Sequence, residues 1–295
     1  MRNSITRLVA AKFYFYFNMI QKLMPIGFIA AAVTALLFVS PGFALAAGGV
    51  LRMATTTSTR NSGLLDHLLP PFEKKSGLRI HIIAVGTGKA LRLGESGDVD
   101  LVMVHAPEKE KAYMAKGAFV MRRTLMHNFF VLLGPANDPA QVQKARDIRS
   151  AMTSIASHRA RFISRGDESG THTKELKLWK AAGLAPEGEW YEEVGQGMGR
   201  ALIIANERQA YLLSDDSTFY AFKARLSLKI LSHREPLLRN VYSAMAVNPK
   251  KHPHVRHRQA VQLIDWLIGE EGQRRIASYR RSGRQLFTPV LEAAR

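Results

Sequence analysis

From Leu51 onward, short apolar runs alternate with stretches whose apolar residues fall at helical spacing. That alternation restricts the chain to α/β architectures. Residues 51–54 read as a strand running into Thr55-Thr56-Thr57-Ser58-Thr59. Residues 62–75 carry Leu64, Leu65, Leu68, Leu69 and Phe72 on one helical face. Asn61 or Ser62 is expected to cap this helix, Gly77 to end it, and Pro70-Pro71 to kink or restart it. Strands are expected at 79–85, 99–104, 124–133, 161–164 and 241–247. Helices are expected at 89–93, within the polar stretch up to about 158, and at 171–182, 200–207, 255–268 and 271–280. The order predicts a largely parallel sheet, and in such folds ligands bind where strands end and helices begin.

Ahead of this pattern, residues 23–39 form an apolar run with Lys22 before it and Pro41-Gly42 after it. Ala44-Leu45-Ala46 then offers small residues where a signal peptidase reads. We expect a cleavable leader over 1–46, a mature start near Ala47 and export to the periplasm, with Met19 an alternative start. The chain has no cysteine, which excludes disulfides, thiolate metal sites, a cysteine nucleophile and a lipidated N-terminal cysteine. The net charge is +18, and the leader's Arg2, Arg7, Lys12 and Lys22 leave +14 on the remainder. The basic residues are dispersed and no nucleic-acid motif is visible, so no nucleic-acid partner is expected. A positive field would speed capture of a small anion.

Four strand-to-helix turns are rich in hydroxyls or glycines: 55–59, 86–89, 164–171 and 195–199. Such turns present free N–H groups at helix starts, where the helix dipole also favours an anion, and glycine lets backbone approach closely. Ser169, Gly170, Thr171 and Gly197 are candidate donors on this ground. Gly86-Thr87-Gly88-Lys89 is half a P-loop, but Ile83 and Ala90 stand where the full motif needs glycine and a hydroxyl. Ser169 is not in a nucleophile elbow, and no nucleophile has a partnered base. Arg165 could bind two oxygens of one anion, with Asp167 holding its orientation; an ordinary Arg–Asp pair is the alternative. His105 is expected to be structural. His252, His254 and His257 are expected to be solvated rather than metal-binding. No metal and no cofactor are expected.

The same segments, in order, resemble the tungstate-binding proteins of ABC transporters. They are 55–59 with Ser62-Gly63-Leu64-Leu65, 85–91, Gly97-Asp98-Val99-Asp100, Val104-His105-Ala106-Pro107, 164–172, Trp190-Tyr191 and 195–199. The resemblance implies a two-lobed periplasmic binding protein of type II. Two strands cross between the lobes, near 124–133 and 241–247, and the anion lies in the cleft. On this chain, lobe 1 would be 47–127 with 245–295, and lobe 2 would be 128–244. The resemblance also implies Thr56, Thr57, Ser58, Thr87, Gly88 and Arg165 as anion ligands, a membrane permease as partner, and a monomer.

Tungstate and molybdate are dianions that accept hydrogen bonds and donate none, so a matching site holds donors only. Hydrogen phosphate favours an acceptor, and the first two turns contain no acid. Sulfate would be separated by cavity size. Nothing physical in the sequence separates tungstate from molybdate. Another oxyanion is the alternative ligand, and an enzyme acting on phosphate or acyl esters the alternative of another class.

Overall fold

The computed structural model describes residues 49–290, so the leader expected over 1–46 lies outside the described residues. Strand β1 (Val50–Thr56) is followed by a short helix α1 (Thr57–Asn61), helix α2 (Leu64–Ser76), β2 (Arg79–Val85), α3 (Thr87–Glu95), β3 (Leu101–Val104) and α4 (Pro107–Ala115). A long strand β4 (Phe119–Gly134) leads to α5 (Ile148–Ser157), β5 (Phe162–Ser164), α6 (Gly170–Ala181), β6 (Tyr191–Glu193) and α7 (Met198–Glu207). Then come β7 (Leu212–Asp215), α8 (Asp216–Phe222), β8 (Lys229–Ile230) and β9 (Arg239–Val247). The described chain closes with α9 (His257–Ile268), α10 (Glu270–Ser278), β10 (Arg280–Arg281), β11 (Arg284–Gln285) and β12 (Thr288–Pro289).

The sheet is mixed rather than largely parallel. β1 pairs in parallel with β2 and β3, as strand–helix–strand units require. β9 runs antiparallel to both β3 and β4, and β7, β8 and β12 also add antiparallel to β4. The reason lies in β4 and β9, which run past each other in opposite directions and bring the chain out and back.

Period-two alternation along these strands sorts side chains onto four apolar layers. Leu51, Met53, Leu101, Met103, Ala244 and Ala246 face α2 and α9, while Ala54, Val102, Val104, Met245 and Val247 face α3. The far end of β4 repeats the device: Phe130 and Leu132 face α5 and α6, and Val131 and Leu133 face α7. β4 thus threads two helix–sheet–helix bodies, its first part in one and its last residues in the other.

Two local expectations change. Gly63 rather than Asn61 or Ser62 is the N-cap of α2, in the left-handed region at φ 79°, although Ser62 Oγ accepts from Leu64 N at 3.2 Å. The helix also runs unbroken through Pro70 and Pro71. Pro70 is exposed, so the carbonyl left without its N–H can bond water, which lowers the cost of proline there. The left-handed Gly77 ends the helix as expected.

In the second body, Glu175 of α6 is 1% exposed and receives bonds from Tyr191 OH at 2.8 Å, Ser164 Oγ at 3.0 Å and Trp179 Nε1 at 3.3 Å. Burial outweighs these bonds and pushes its carboxyl up to about 7. Asp216 is likewise raised to about 7, by burial and then by the neighbouring Asp215. Unfolded carboxyls ionise at lower pH, so the folded state holds these protons longer. Stability should therefore be full below the unfolded values and fall as pH rises through about 7. Glu175→Gln should shrink the loss of unfolding free energy between about pH 5 and about pH 8 by on the order of 2 kcal/mol. Guanidinium unfolding at both pH values checks this; an unchanged loss in the variant would show that Glu175 does not ionise late.

Candidate functional site

The hydroxyl-rich turn after β1 folds into α1, with extended Thr56 as its N-cap. Thr56 Oγ1 accepts from Thr59 N at 3.2 Å and lies 2.7 Å from Thr59 Oγ1 and 3.0 Å from Ser58 Oγ. Thr55 Oγ1 donates to the Met103 carbonyl at 2.8 Å, tying the turn to β3. Thr57 is partly exposed, and its hydroxyl has no hydrogen-bond partner among the described residues.

Three longer helices begin around the same place. α3 starts at Thr87, which is fully buried, and its Oγ1 accepts from Gly170 N at 3.0 Å. That bond joins the first body to the start of α6. Ser169 caps α6 by accepting from His172 N at 3.2 Å. The next residue but one, Thr171, is fully buried, and its Oγ1 has no partner among the described residues. Gly170 has to be small, since a Cβ there would sit 3.2 Å from both Thr87 Oγ1 and His105 Cε1. α7 starts behind Gly197, where a Cβ would sit 3.6 Å from Thr57 Oγ1. Gly88 lies in the first turn of α3, where a Cβ would meet only Arg92 Nη1, at 3.5 Å.

Arg165 follows β5 and is 2% exposed. Its Nη2 forms an ion pair with Asp167, and its Nε donates to the Gln196 carbonyl at 3.3 Å. Nη1 has no partner among the described residues. Burial lowers the pKa of this guanidinium, while Asp167, Asp215 and Glu175 oppose the shift. A guanidinium starts so high that it stays charged, and Asp167 leaves part of its fork free to take an oxyanion. The Asp167 carboxylate also accepts from Ser169 N at 3.2 Å, bracing the segment between β5 and α6.

The turns at 56–58, 86–88, 165–171 and 196–197 are therefore in mutual contact, although they are far apart in the chain. A cavity of about 200 Å³ opens beside them, lined in part by His105, Phe130, Gly170, Lys174, Lys177 and Arg239. Lys174 Nζ stands 5.8 Å over the Phe130 ring, and Lys177 pairs with Glu108 across the opening. Positive side chains dominate this rim.

His105 proves to be more than packing. It is 3% exposed, stacks on Tyr242 with ring centroids 4.8 Å apart, and joins Asn240 Oδ1 at 3.0 Å to Ser58 Oγ at 3.1 Å. Asn240, Asn128 and Asp215 are equally buried members of this group, and the sequence reading singled out none of them. The available signal was faint: polar residues interrupting otherwise apolar strands at 128 and 240. His254 is exposed and His252 and His257 are half-buried, so the expected solvation holds in part. Each meets a backbone carbonyl, of Glu95 at 2.7 Å, Gly97 at 2.9 Å and Val247 at 3.3 Å respectively. No group able to hold a metal ion occurs among the described residues.

Residues 46–271 match a model of the PBP superfamily domain. The tungstate-binding protein TupA of Peptoclostridium acidaminophilum is 42% identical over 247 residues, which cover 82% of this chain and 86% of that protein. The crystal structure of the tungstate ABC transporter from Geobacter sulfurreducens is 54% identical, with a TM-score of 0.74 over 78% of this chain and 98% of that one. The tungstate-binding protein TupA from Desulfovibrio alaskensis G20 is 43% identical, with a TM-score of 0.72 over 83% and 100%. Superfamily match, identity and shared fold agree over most of the chain: it belongs to the PBP superfamily and, within it, to the family of the TupA proteins.

Proposed function

We propose that this protein captures tungstate, with molybdate as the near-equal second ligand, and delivers it to an ABC importer. It binds its ligand without transforming it. Thr56, Thr57, Ser58, Thr87, Gly88, Arg165, Ser169, Gly170, Thr171 and Gly197 form the cage, and Asp167 holds Arg165 in place. Residues 1–46 direct export and are removed. The mature monomer works in the periplasm and docks on a membrane permease. Lobe 1 comprises 47–127 and 245–295, and lobe 2 comprises 128–244.

One observation carries this reading. A fully buried hydroxyl without a partner among the described residues, Thr171 Oγ1, stands at the start of a twelve-residue helix, and the same segment carries Arg165, a buried arginine whose Nη1 has no partner among the described residues. Burying a donor unpaired costs about 1–3 kcal/mol, so the Thr171 hydroxyl points to a ligand that supplies an acceptor. The helix dipole and the guanidinium both call for negative charge. The family adds the identity of the anion, because the two TupA relatives and the Geobacter transporter are all named for tungstate.

Tungstate and molybdate should raise the melting temperature of the exported protein, and hydrogen phosphate at equal concentration should not. Arg165→Ala should weaken tungstate binding about a hundredfold, since it removes the charged partner of a desolvated dianion. Calorimetry measures this, and an unchanged Kd would remove Arg165 from the site. Ligand contacts from both lobes should also favour the closed form. X-ray scattering should show a smaller radius of gyration with tungstate; equal radii would count against lobe closure.

A further inference from the structure

A polar chain buried behind the cage has a direction that can be worked out from one end. It begins at Asp215, the N-cap of α8. The carboxylate accepts from Thr218 N at 2.9 Å, from Thr218 Oγ1 at 2.7 Å, from the Ser217 hydroxyl and from Asn128 Nδ2 at 3.5 Å. A carboxylate only accepts, so the nitrogen of Asn128 has to face it and its oxygen has to face away. That oxygen accepts from Asn240 Nδ2 at 2.8 Å, and Asn240 Nδ2 also donates to Tyr242 OH at 3.1 Å. Asn240 Oδ1 is then the atom that faces His105 Nδ1, at 3.0 Å, so Nδ1 carries the proton. A neutral imidazole has one N–H, so Nε2 is a bare lone pair, 3.1 Å from Ser58 Oγ. Ser58 must donate to it.

The members of this chain are at most 3% exposed, so water does not compete for these bonds. Burial holds His105 below its ordinary pKa and the Arg165 charge adds to this, against Asp215 and the Asn240 bond, which keeps the ring neutral near pH 7. The remaining Ser58 contact is with Thr56 Oγ1, which already takes the N–H of Thr59. The hydroxyls of 56, 58 and 59 are thus engaged with one another and with His105. Only Thr57 Oγ1, beside Gly197, is left over.

We propose that His105 is a positioning residue of the anion site. Fixed as the Nδ1–H tautomer by the relay from Asp215, it draws the Ser58 hydroxyl proton out of the cleft and leaves Thr57 as the hydroxyl donor of that turn. This rests on the reading of the cleft as an oxyanion cage. It also deepens that reading, because it makes the donor pattern of the first turn depend on a carboxylate three side chains behind the histidine.

The test is nitrogen-15 NMR of the His105 ring in the exported protein, assigned with His105→Gln and recorded without and with saturating tungstate. The expected spectrum has a protonated Nδ1 and a bare Nε2 in both conditions. A protonated Nε2 in the tungstate-loaded protein would overturn the proposal, because Ser58 would then be free to donate to the anion. Asn128→Leu cuts the relay without touching His105 or the cage. It should give a mixture of tautomers and raise the tungstate Kd about tenfold, the equivalent of one buried hydrogen bond. A single unchanged tautomer in that variant would also overturn the proposal. His105→Gln, whose amide oxygen can still accept from Ser58, should retain more affinity than His105→Leu; equal losses would show that filling space is all the ring does. Should Asn128→Leu fail to fold, the wild-type spectra alone decide. If the wild-type protein takes up no tungstate, the site reading fails, whereas the His105 tautomer in the free protein still tests the relay.

Discussion

A dianion taken out of water loses more than any one side chain can return, so a protein that buries one has to surround it with donors fixed beforehand. Under the proposed function, that requirement accounts for how several helix starts of this structure are placed. α3, α6 and α7 all begin at one place, and each brings backbone N–H groups that carry partial positive charge without a counterion of their own. A single full charge, Arg165, is added, and Asp167 partly offsets it. A cage of dipoles with one guanidinium can release its ligand, whereas several buried cations would hold it too tightly and would repel one another when the cleft is open.

The fold was legible where periodicity is local. Helices α2 and α9 read correctly because each has a long apolar face, and the left-handed Gly77 stops α2. The mixed sheet was not legible. Strand direction is set by how β4 and β9 pass one another, and that pairing joins residues more than a hundred positions apart, such as Asn128 and Asn240. Proline misled for a different reason. The expected break in α2 assumed that the lost hydrogen bond would be costly, and the exposed position of Pro70 makes it cheap.

Turn chemistry, which is also local, pointed to hydroxyls and glycines just after strands, while the choice of Thr56, Thr57, Ser58, Thr87, Gly88 and Arg165 came from the family resemblance. The supporting chain came from neither, because Asn128, Asp215 and Asn240 carry no motif. Each is an ordinary polar residue whose importance comes from its neighbour across the fold. His105 illustrates the difference. Its place after a buried strand and before Pro107 argued for packing, and it does pack, on Tyr242. What the sequence did not show is that its two ring nitrogens connect a crossing strand to the first binding turn.

Several bonds join the two bodies, among them the buried contact of His105 Nδ1 with Asn240 Oδ1 at 3.0 Å. Gly170 N to Thr87 Oγ1 is a buried neutral hydrogen bond, and Thr218 Oγ1, whose proton goes to Asp215, only approaches the Ser58 carbonyl at 3.5 Å. Lys177 with Glu108 and Lys109 Nζ with the Glu168 carbonyl are solvent-exposed, where such contacts contribute roughly 0–1 kcal/mol. In the proposed cage, Thr57 and Thr87 belong to the first body and Arg165 and Thr171 to the second. On that proposal an anion touching both bodies binds fully only when they meet, which would make capture and closure a single event.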